Sequence, residues 1–570
     1  MAEILISPGV LARENDTSFV TQGPVTVGAA ILGPTVKGPV ELPTLVTSYS
    51  DFTQTFGEVL TSGSDTYSFF TSLAAYNYFN NGGTTLLVTR IVSKSSEYTP
   101  AISTPISAST LASSQPAFVL ETISEGVIMN SSGSEDSNGL LVSGSDNNFR
   151  WQIISPNTSS GTFNLLLRRG SDITNNVTPI QTWTNLSLDP KSSNFISRVI
   201  GDYKYNYNPT TNQIEVSGSY PNTNPYVRVK SVNLLTPDYL DGAGLPKSQY
   251  TASIPLAASG SFTGATGNIK AGAKFWNEIT ALDSQGLTGG SYDDMINLMS
   301  NQDDYRFNAL FTPGLVRELH TSQVTAIISN TQNRGDSIYI TDLVDYGDSV
   351  TGVVSQAAAL DTSYAATYWP WVQINDPGTG KNVWVPASTM IPGVFAFNDR
   401  VSEPWFAPAG INRGGLGTVI RAEQKLPQTD RDTLYQGKVN PIATFPGSGV
   451  VVYGQKTLQT KPSALDRVNV RRLLIALKSY ISQVANTLVF EQNTATTRNQ
   501  FLAQVNPYLE SVQQRQGLYA FRVIMDDTNN TPDVIDRNQL VGQIYLQPTK
   551  TAEFIYLDFN ITPTGATFPG

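Results

Sequence analysis

A change of composition near Ser93 constrains the fold of this chain more than any other feature. Residues 93–285 are rich in Ser, Thr, Asn and Gly. They carry short alternating runs, such as 163–167 and 213–216, the pattern of half-buried strands bounded by turns. On either side the pattern shifts. Before the change, 25–32, 45–47 and 86–88 are strand candidates. Ser68 to Phe79 places Phe69, Phe70, Leu73, Ala74, Tyr76 and Phe79 near helical spacing, and Asn80-Asn81-Gly82-Gly83 supplies the stop. After it, 307–314 reads as a strand ending in a turn, 322–331 as a helix and 337–342 as the next strand. Strand–helix–strand order predicts a mostly parallel sheet. Two such stretches separated by a β-rich segment predict one discontinuous α/β core with an insertion.

The expected class is therefore mixed α/β: a discontinuous α/β core, an inserted β-rich domain, a C-terminal α/β domain and extended terminal arms. The boundaries expected are 1–20 for an N-terminal arm, 21–92 for the first core segment and 93–285 for the insertion. The second core segment is expected at 286–420, the C-terminal domain at 421–552 and a C-terminal strand or arm at 553–570. In the first arm Ile4-Leu5-Ile6 is strand-like, Pro8-Gly9 breaks it, and 13–18 is polar. A long helix is predicted over 471–489, with Leu473, Leu474, Leu477, Tyr480, Ile481, Val484, Leu488 and Val489 on one face. Residues 554–561 alternate cleanly, placing Ile555, Leu557, Phe559 and Ile561 on one side.

No catalytic constellation emerges. Asp376-Pro377-Gly378-Thr379-Gly380-Lys381-Asn382 imitates a phosphate loop, but Asn375 replaces the first glycine and Asn382 the magnesium-binding hydroxyl. Gly414-Gly415-Leu416-Gly417 is half a dinucleotide fingerprint without its closing glycine. His320 is the sole histidine, too few for triad hydrolysis or most catalytic zinc sites. The pairs Asp293-Asp294, Asp303-Asp304 and Asp526-Asp527 fit caps and turns better than glycoside hydrolysis. In 527–532, Pro532 stands where a calcium loop needs glycine. The expectation is no enzyme, no metal and no cofactor.

A net charge of −10 disfavours direct nucleic-acid binding. The absence of cysteine rules out disulfides and thiolate metal sites. No apolar run is long enough to insert in a membrane, and the first residues lack the features of a signal peptide.

Several motifs follow one another in an order that resembles one family. Val27-Gly28-Ala29-Ala30-Ile31-Leu32-Gly33-Pro34 and Lys37-Gly38-Pro39 open the series, and Gly82-Gly83-Thr84-Thr85-Leu86-Leu87-Val88-Thr89-Arg90 closes its N-terminal stretch. Then come Tyr368-Trp369-Pro370-Trp371, Pro392-Gly393-Val394-Phe395-Ala396-Phe397-Asn398-Asp399, Gly437-Lys438-Val439-Asn440-Pro441, Arg467-Val468-Asn469-Val470-Arg471-Arg472 and Ala552-Glu553-Phe554-Ile555. In this order they resemble the contractile tail sheath proteins of bacteriophages and related injection particles. The resemblance covers about 1–92 and 300–560 and does not extend to 93–285.

The resemblance implies a structural subunit that polymerises helically around an inner tube and contracts to drive the tube through a host envelope. Its implied partners are further copies of itself, the inner tail tube protein, and baseplate and terminator proteins. It would sit in the virion after assembly in the host bacterial cytoplasm. It also implies intersubunit arms, here Ile4, Ile6 and Val10 at one end and Ile555, Leu557, Phe559 and Ile561 at the other. A tube-facing basic face would consist of Lys461, Arg467, Arg471, Arg472 and Lys478. Two other readings stand beside it: a β-rich surface or adhesion protein, and a glycan-cleaving tail enzyme.

Overall fold

A computed structural model describes residues 28–62, 65–108, 116–129, 147–157, 160–170, 172, 177–233, 243, 254–268 and 279–555. Among them an eight-stranded sheet forms the centre. Its strands in chain order are β1 (Ala29–Gly33), β2 (Thr44–Val46), β3 (Leu86–Arg90), β4 (Ala309–Val316), β5 (Ile338–Asp342), β6 (Ala365–Trp369), β7 (Asn440–Phe445) and β8 (Gly449–Val452). The spatial order is β2-β3-β1-β4-β5-β6-β7-β8. The six strands from β3 to β7 run parallel, and β2 and β8 close the edges antiparallel. The class is mixed α/β.

Parallel strands need helices on both faces, so β1, β3, β4, β5 and β6 are buried along their whole length. One face is covered by helices Tyr49–Phe56, Phe70–Asn80 and Ile391–Val401, through Phe52, Phe56, Phe70, Leu73 and Val394. The other is covered by Asp293–Leu298, Thr321–Arg334 and Val350–Ala358, through Met295, Val324, Ile327 and Val353. The crossover from β1 to β3 uses the first face and those from β4 to β6 use the second. The winding therefore reverses between β1 and β4.

Three local readings differ from the sequence pattern. The strand expected to end at Gly314 continues to Val316, because Pro313-Gly314 forms a bulge inside β4: Gly314 has φ +94° and the register to β5 shifts there. The strands β7 and β8 pair into the core sheet, so the core extends past residue 420 to at least Val452. Helix Val468–Asn486 ends before Val489, which is 58% exposed beyond the last turn.

The segment after Ser93 forms an antiparallel sheet of seven strands in the order Pro179–Ser187, Thr162–Arg169, Phe149–Asn157, Ala258–Thr263, Pro100–Ser103, Phe118–Glu125, Val227–Val232. Its own core holds Phe118, Trp151, Phe163 and Leu165, with Phe118 and Phe163 stacked. A buried Asp172 receives Arg150 at 2.9 Å and Arg168 at 2.7 Å. The sheet is fastened to the centre. Ser124 Oγ accepts from Gly38 N and Glu125 Oε2 from Val40 N, both at 2.7 Å. A hairpin, Lys204–Asn208 with Gln213–Ser217, lays Tyr207 and Ile214 on the helical layer over β4, and Asn212 reaches Asn297 O at 2.9 Å.

The return of the chain to the core comes earlier than residue 286. Gln285 is 1% exposed; its side chain accepts from Phe70 N at 2.8 Å and donates to Pro313 O at 3.1 Å. Ser284 Oγ donates to Gly314 O at 2.6 Å. These residues satisfy the start of helix Phe70–Asn80 and the β4 bulge. We expect a chain deleted for 94–278, joined by a short linker, to keep a cooperatively folding centre. Deletion through 285 should cost about 1–3 kcal/mol more, because Phe70 N and Pro313 O lose their buried partners. Urea unfolding of the two deletions measures the difference; equal midpoints would assign 283–285 to the insertion.

Asp342, at the carboxyl end of β5, is buried and accepts from Ser388 N at 3.1 Å and from Ser388 Oγ. Burial pushes its carboxyl up to about 7, against the lowering effect of those two bonds. The folded state thus holds a proton that the unfolded chain releases near pH 4. The stabilisation is complete below the unfolded pKa and is lost as pH rises through about 7, on the order of 2–4 kcal/mol. Asp342→Asn should remove that slope from thermal unfolding between pH 4 and 7. An unchanged slope would show that Asp342 is ionised in the fold.

Candidate assembly interface

The C-terminal region is built on two long helices. Val468–Asn486 and Ala495–Gln514 pack through Leu473, Leu477, Val484, Phe501, Val505 and Leu509. Tyr480 and Tyr508 stack with centroids 3.8 Å apart. Thr494 caps the second helix by accepting from Thr497 N, as an extended N-cap threonine should. Trp405 reaches over from the core, and its indole N–H donates to Arg515 O at 3.0 Å.

Against the second helix lies a hairpin of Leu518–Ile524 and Gln543–Pro548. Its two strands are linked through a loop held by Asn530, whose amide exchanges two 2.8 Å bonds with the backbone of Val541. Ile544 and Leu546 turn inward while Tyr545 is 55% exposed on the other side. Among the described residues no third strand joins this pair. Within these residues both edges lack a partner strand, and a sheet edge without one is a template for an added strand.

Just beyond the hairpin the chain is pinned again. Glu553 receives Arg467 Nε at 2.7 Å and Nη2 at 2.9 Å, Tyr435 O–H at 2.6 Å and Gln455 Nε2 at 3.1 Å. Burial alone would raise this carboxyl, but the Arg467, Tyr435 and Gln455 hydrogen bonds outweigh it and hold it below its ordinary value. Tyr435 comes from helix Gln428–Gln436 and Arg467 from the entry to Val468–Asn486, so one carboxylate ties three segments together. Ile555, two residues on, is 76% exposed and outside any strand. Leu557, Phe559 and Ile561, like Ile4, Ile6 and Val10, lie outside the described residues.

The basic face expected from the sequence is largely turned inward. Arg471 is buried, with its guanidinium 3.9 Å from the Tyr364 ring centroid and bonded to Ser363 O at 3.2 Å. Arg472 is buried over Phe395 and pairs with Asp399 at 2.6 Å. Arg467 is committed to Glu553 and Asp466. Of the five, Lys461 and Lys478 are exposed, Lys478 within 3.3 Å of Tyr364 O–H. The sequence shows the charges but not their partners, which lie up to 108 positions away.

Several of the remaining candidates make local hydrogen bonds. Asp376 caps its own turn, accepting from Gly378 N and Thr379 Oγ1. His320 is buried at the start of helix Thr321–Arg334 with Nδ1 3.1 Å from Val316 N, and burial lowers its pKa. Asp293 accepts from Gln323, Asp304 from Asn301 and Asp527 from Arg498. Among the described residues no group of His, Asp or Glu is arranged to hold a metal. No helix there is long and apolar enough to cross a membrane.

Residues 288–458 match the phage tail sheath protein central domain, and residues 460–562 match the phage tail sheath C-terminal domain. Over these residues the chain is similar to the phage tail sheath family. The stretch that matches the central domain contains strands β4 to β8, and the stretch that matches the C-terminal domain contains the helical pair, the hairpin and Glu553. The chain is 43% identical over 209 residues to the tail sheath protein of Vibrio phage KVP40, a stretch that is 37% of this chain and 31% of that one. It is 40% identical over 223 residues to the tail sheath protein of Enterobacteria phage T4, or 39% and 33% of the two chains. The matched stretch spans about a third of the length of these curated relatives. The solved sheath tail protein of Listeria innocua shares the fold, with a TM-score of 0.51 and 10% identity over 92% of this chain and 96% of that one.

Proposed function

We propose that this chain is the structural subunit of a contractile tail sheath, which polymerises helically around an inner tube and shortens to drive it through an envelope. The observation that carries the reading is the C-terminal hairpin, a two-stranded sheet with both edges unpaired among the described residues. Packing on the second helix supports one face of the pair and leaves its edges without a partner strand among the described residues. Strands supplied by neighbouring copies would complete it and leave subunits connected while their domains rotate, because main-chain hydrogen bonds persist. An N-terminal arm from Ile4 to Glu14, if extended, would reach about 35 Å at roughly 3.3 Å per residue, enough to meet an adjacent copy. Contacts of this head-to-tail kind need not close into a ring and so give a helical polymer.

The chain would perform no covalent chemistry. Work would come from the difference between the intersubunit contacts of an extended and a shorter, wider lattice. The partners are the tube protein inside, with baseplate and terminator proteins at the ends, and the assembled polymer is a virion component made in the host cytoplasm. Contact with the tube falls to Lys461 and Lys478, as modest, separable charges. Electron microscopy of the purified chain tests the reading: tubes support it, and isolated globules at all concentrations overturn it.

A further inference from the structure

Glu553 closes a strap that runs from the C-terminal hairpin back to the centre of the molecule. Just past Pro548, Thr549 N donates to Gly517 O at 3.1 Å. Gln455, just beyond β8 and 3% exposed, donates from Nε2 to Thr551 Oγ1 at 2.7 Å and to Glu553 Oε1 at 3.1 Å. With Tyr435 O–H and Arg467 Nε and Nη2, four donor atoms from three segments converge on the one carboxylate.

This socket is built for a carboxylate. The groups that bond Glu553 are all donors, and Lys456 Nζ adds a second cation 4.4 Å from the Tyr435 ring centroid, with the Arg467 guanidinium 5.8 Å from the same ring. Charge-assisted hydrogen bonds of this kind are roughly twice as strong as neutral ones. An amide in the same place offers a single acceptor oxygen and turns N–H groups toward other donors. Asp466 also pairs with Arg467, at 2.9 Å, but it is not on the strap. Beyond the socket the side chains face solvent: Phe554 is 69% and Ile555 76% exposed. Tyr435 and Gln455 lie in the stretch that matches the sheath central domain, and Arg467 and Glu553 in the stretch that matches the C-terminal domain. The clasp therefore fixes the far end of one stretch on the other. A segment held at its base has less freedom left to lose when it meets a partner, and that pre-organisation strengthens docking.

We infer that Glu553 is a positioning residue for assembly: its clasp sets the point from which the residues after it reach a neighbouring copy. The inference rests on the sheath reading above. Hydrogen exchange of the single subunit and the concentration at which tubes form, each measured for the full chain, Glu553→Gln and Asp466→Asn, test it. Glu553→Gln should speed exchange over 549–555 by about tenfold while helices Val468–Asn486 and Ala495–Gln514 stay protected, and it should raise the tube-forming concentration by about tenfold. Asp466→Asn, which takes an acid from the same arginine but not from the strap, should change neither. Should Glu553→Gln be insoluble, Tyr435→Phe removes one donor and should show both effects more weakly. Normal tube formation by Glu553→Gln, unchanged exchange over 549–555, or equal losses from Asp466→Asn overturns the inference and leaves the sheath reading standing. Absence of tubes from the unaltered chain overturns both.

Discussion

A chain lacking residues 1–18 is expected to purify as a folded subunit that no longer forms long tubes. The expectation is that residues 1–18 act as an arm that leaves the subunit's own core unchanged. Its sequence, a short apolar run interrupted by Pro8-Gly9 and followed by polar residues, suits addition to another copy's sheet better than a core of its own. The open hairpin Leu518–Ile524 and Gln543–Pro548 is the edge it would join. Circular dichroism and unfolding midpoints should match those of the full chain, while negative-stain images should show tube length collapsing to single subunits or short oligomers. Unchanged tube length and yield would sink arm exchange.

Phe559→Asp should prevent assembly where Asn560→Asp does not. Ile555, Leu557, Phe559 and Ile561 share one face of an alternating segment, and each such side chain contributes about 1.5–3 kcal/mol when buried. Loss of about 3 kcal/mol from one contact raises the concentration needed for polymerisation roughly a hundredfold. The Glu553 anchor sharpens the test. It fixes the chain immediately before this segment, and Ile555 stands exposed just beyond it. A soluble, folded subunit that does not polymerise supports exchange between copies. Insoluble protein from Phe559→Asp would assign the segment to its own domain and confine any arm to the residues after Ile561.

Local patterns carried much of the fold. Strands β3 and β5 and helices Phe70–Asn80 and Thr321–Arg334 arise where apolar residues recur at strand or helix period, and each is read from a few neighbouring residues. The order of motifs pointed to the family whose domains residues 288–458 and 460–562 match. The division into core and inserted sheet was visible as a shift in composition, because half-buried antiparallel strands and fully buried parallel ones use different residues.

What the tertiary structure alone decided are pairings between distant positions. Glycine and proline at 313–314 signal a turn by propensity, yet packing on both faces keeps the strand going to Val316 with a bulge. Gln285 has the composition of its polar surroundings, and only Phe70 N and Pro313 O show that it belongs to the core. Arg467, Arg471 and Arg472 are charges on a helix in the sequence. In space their partners are Glu553, Ser363 with Tyr364, and Asp399. A sequence records charge and period along the chain, whereas desolvation of a guanidinium depends on which surfaces meet it. That meeting is set by the strand order, and no local pattern encodes the strand order.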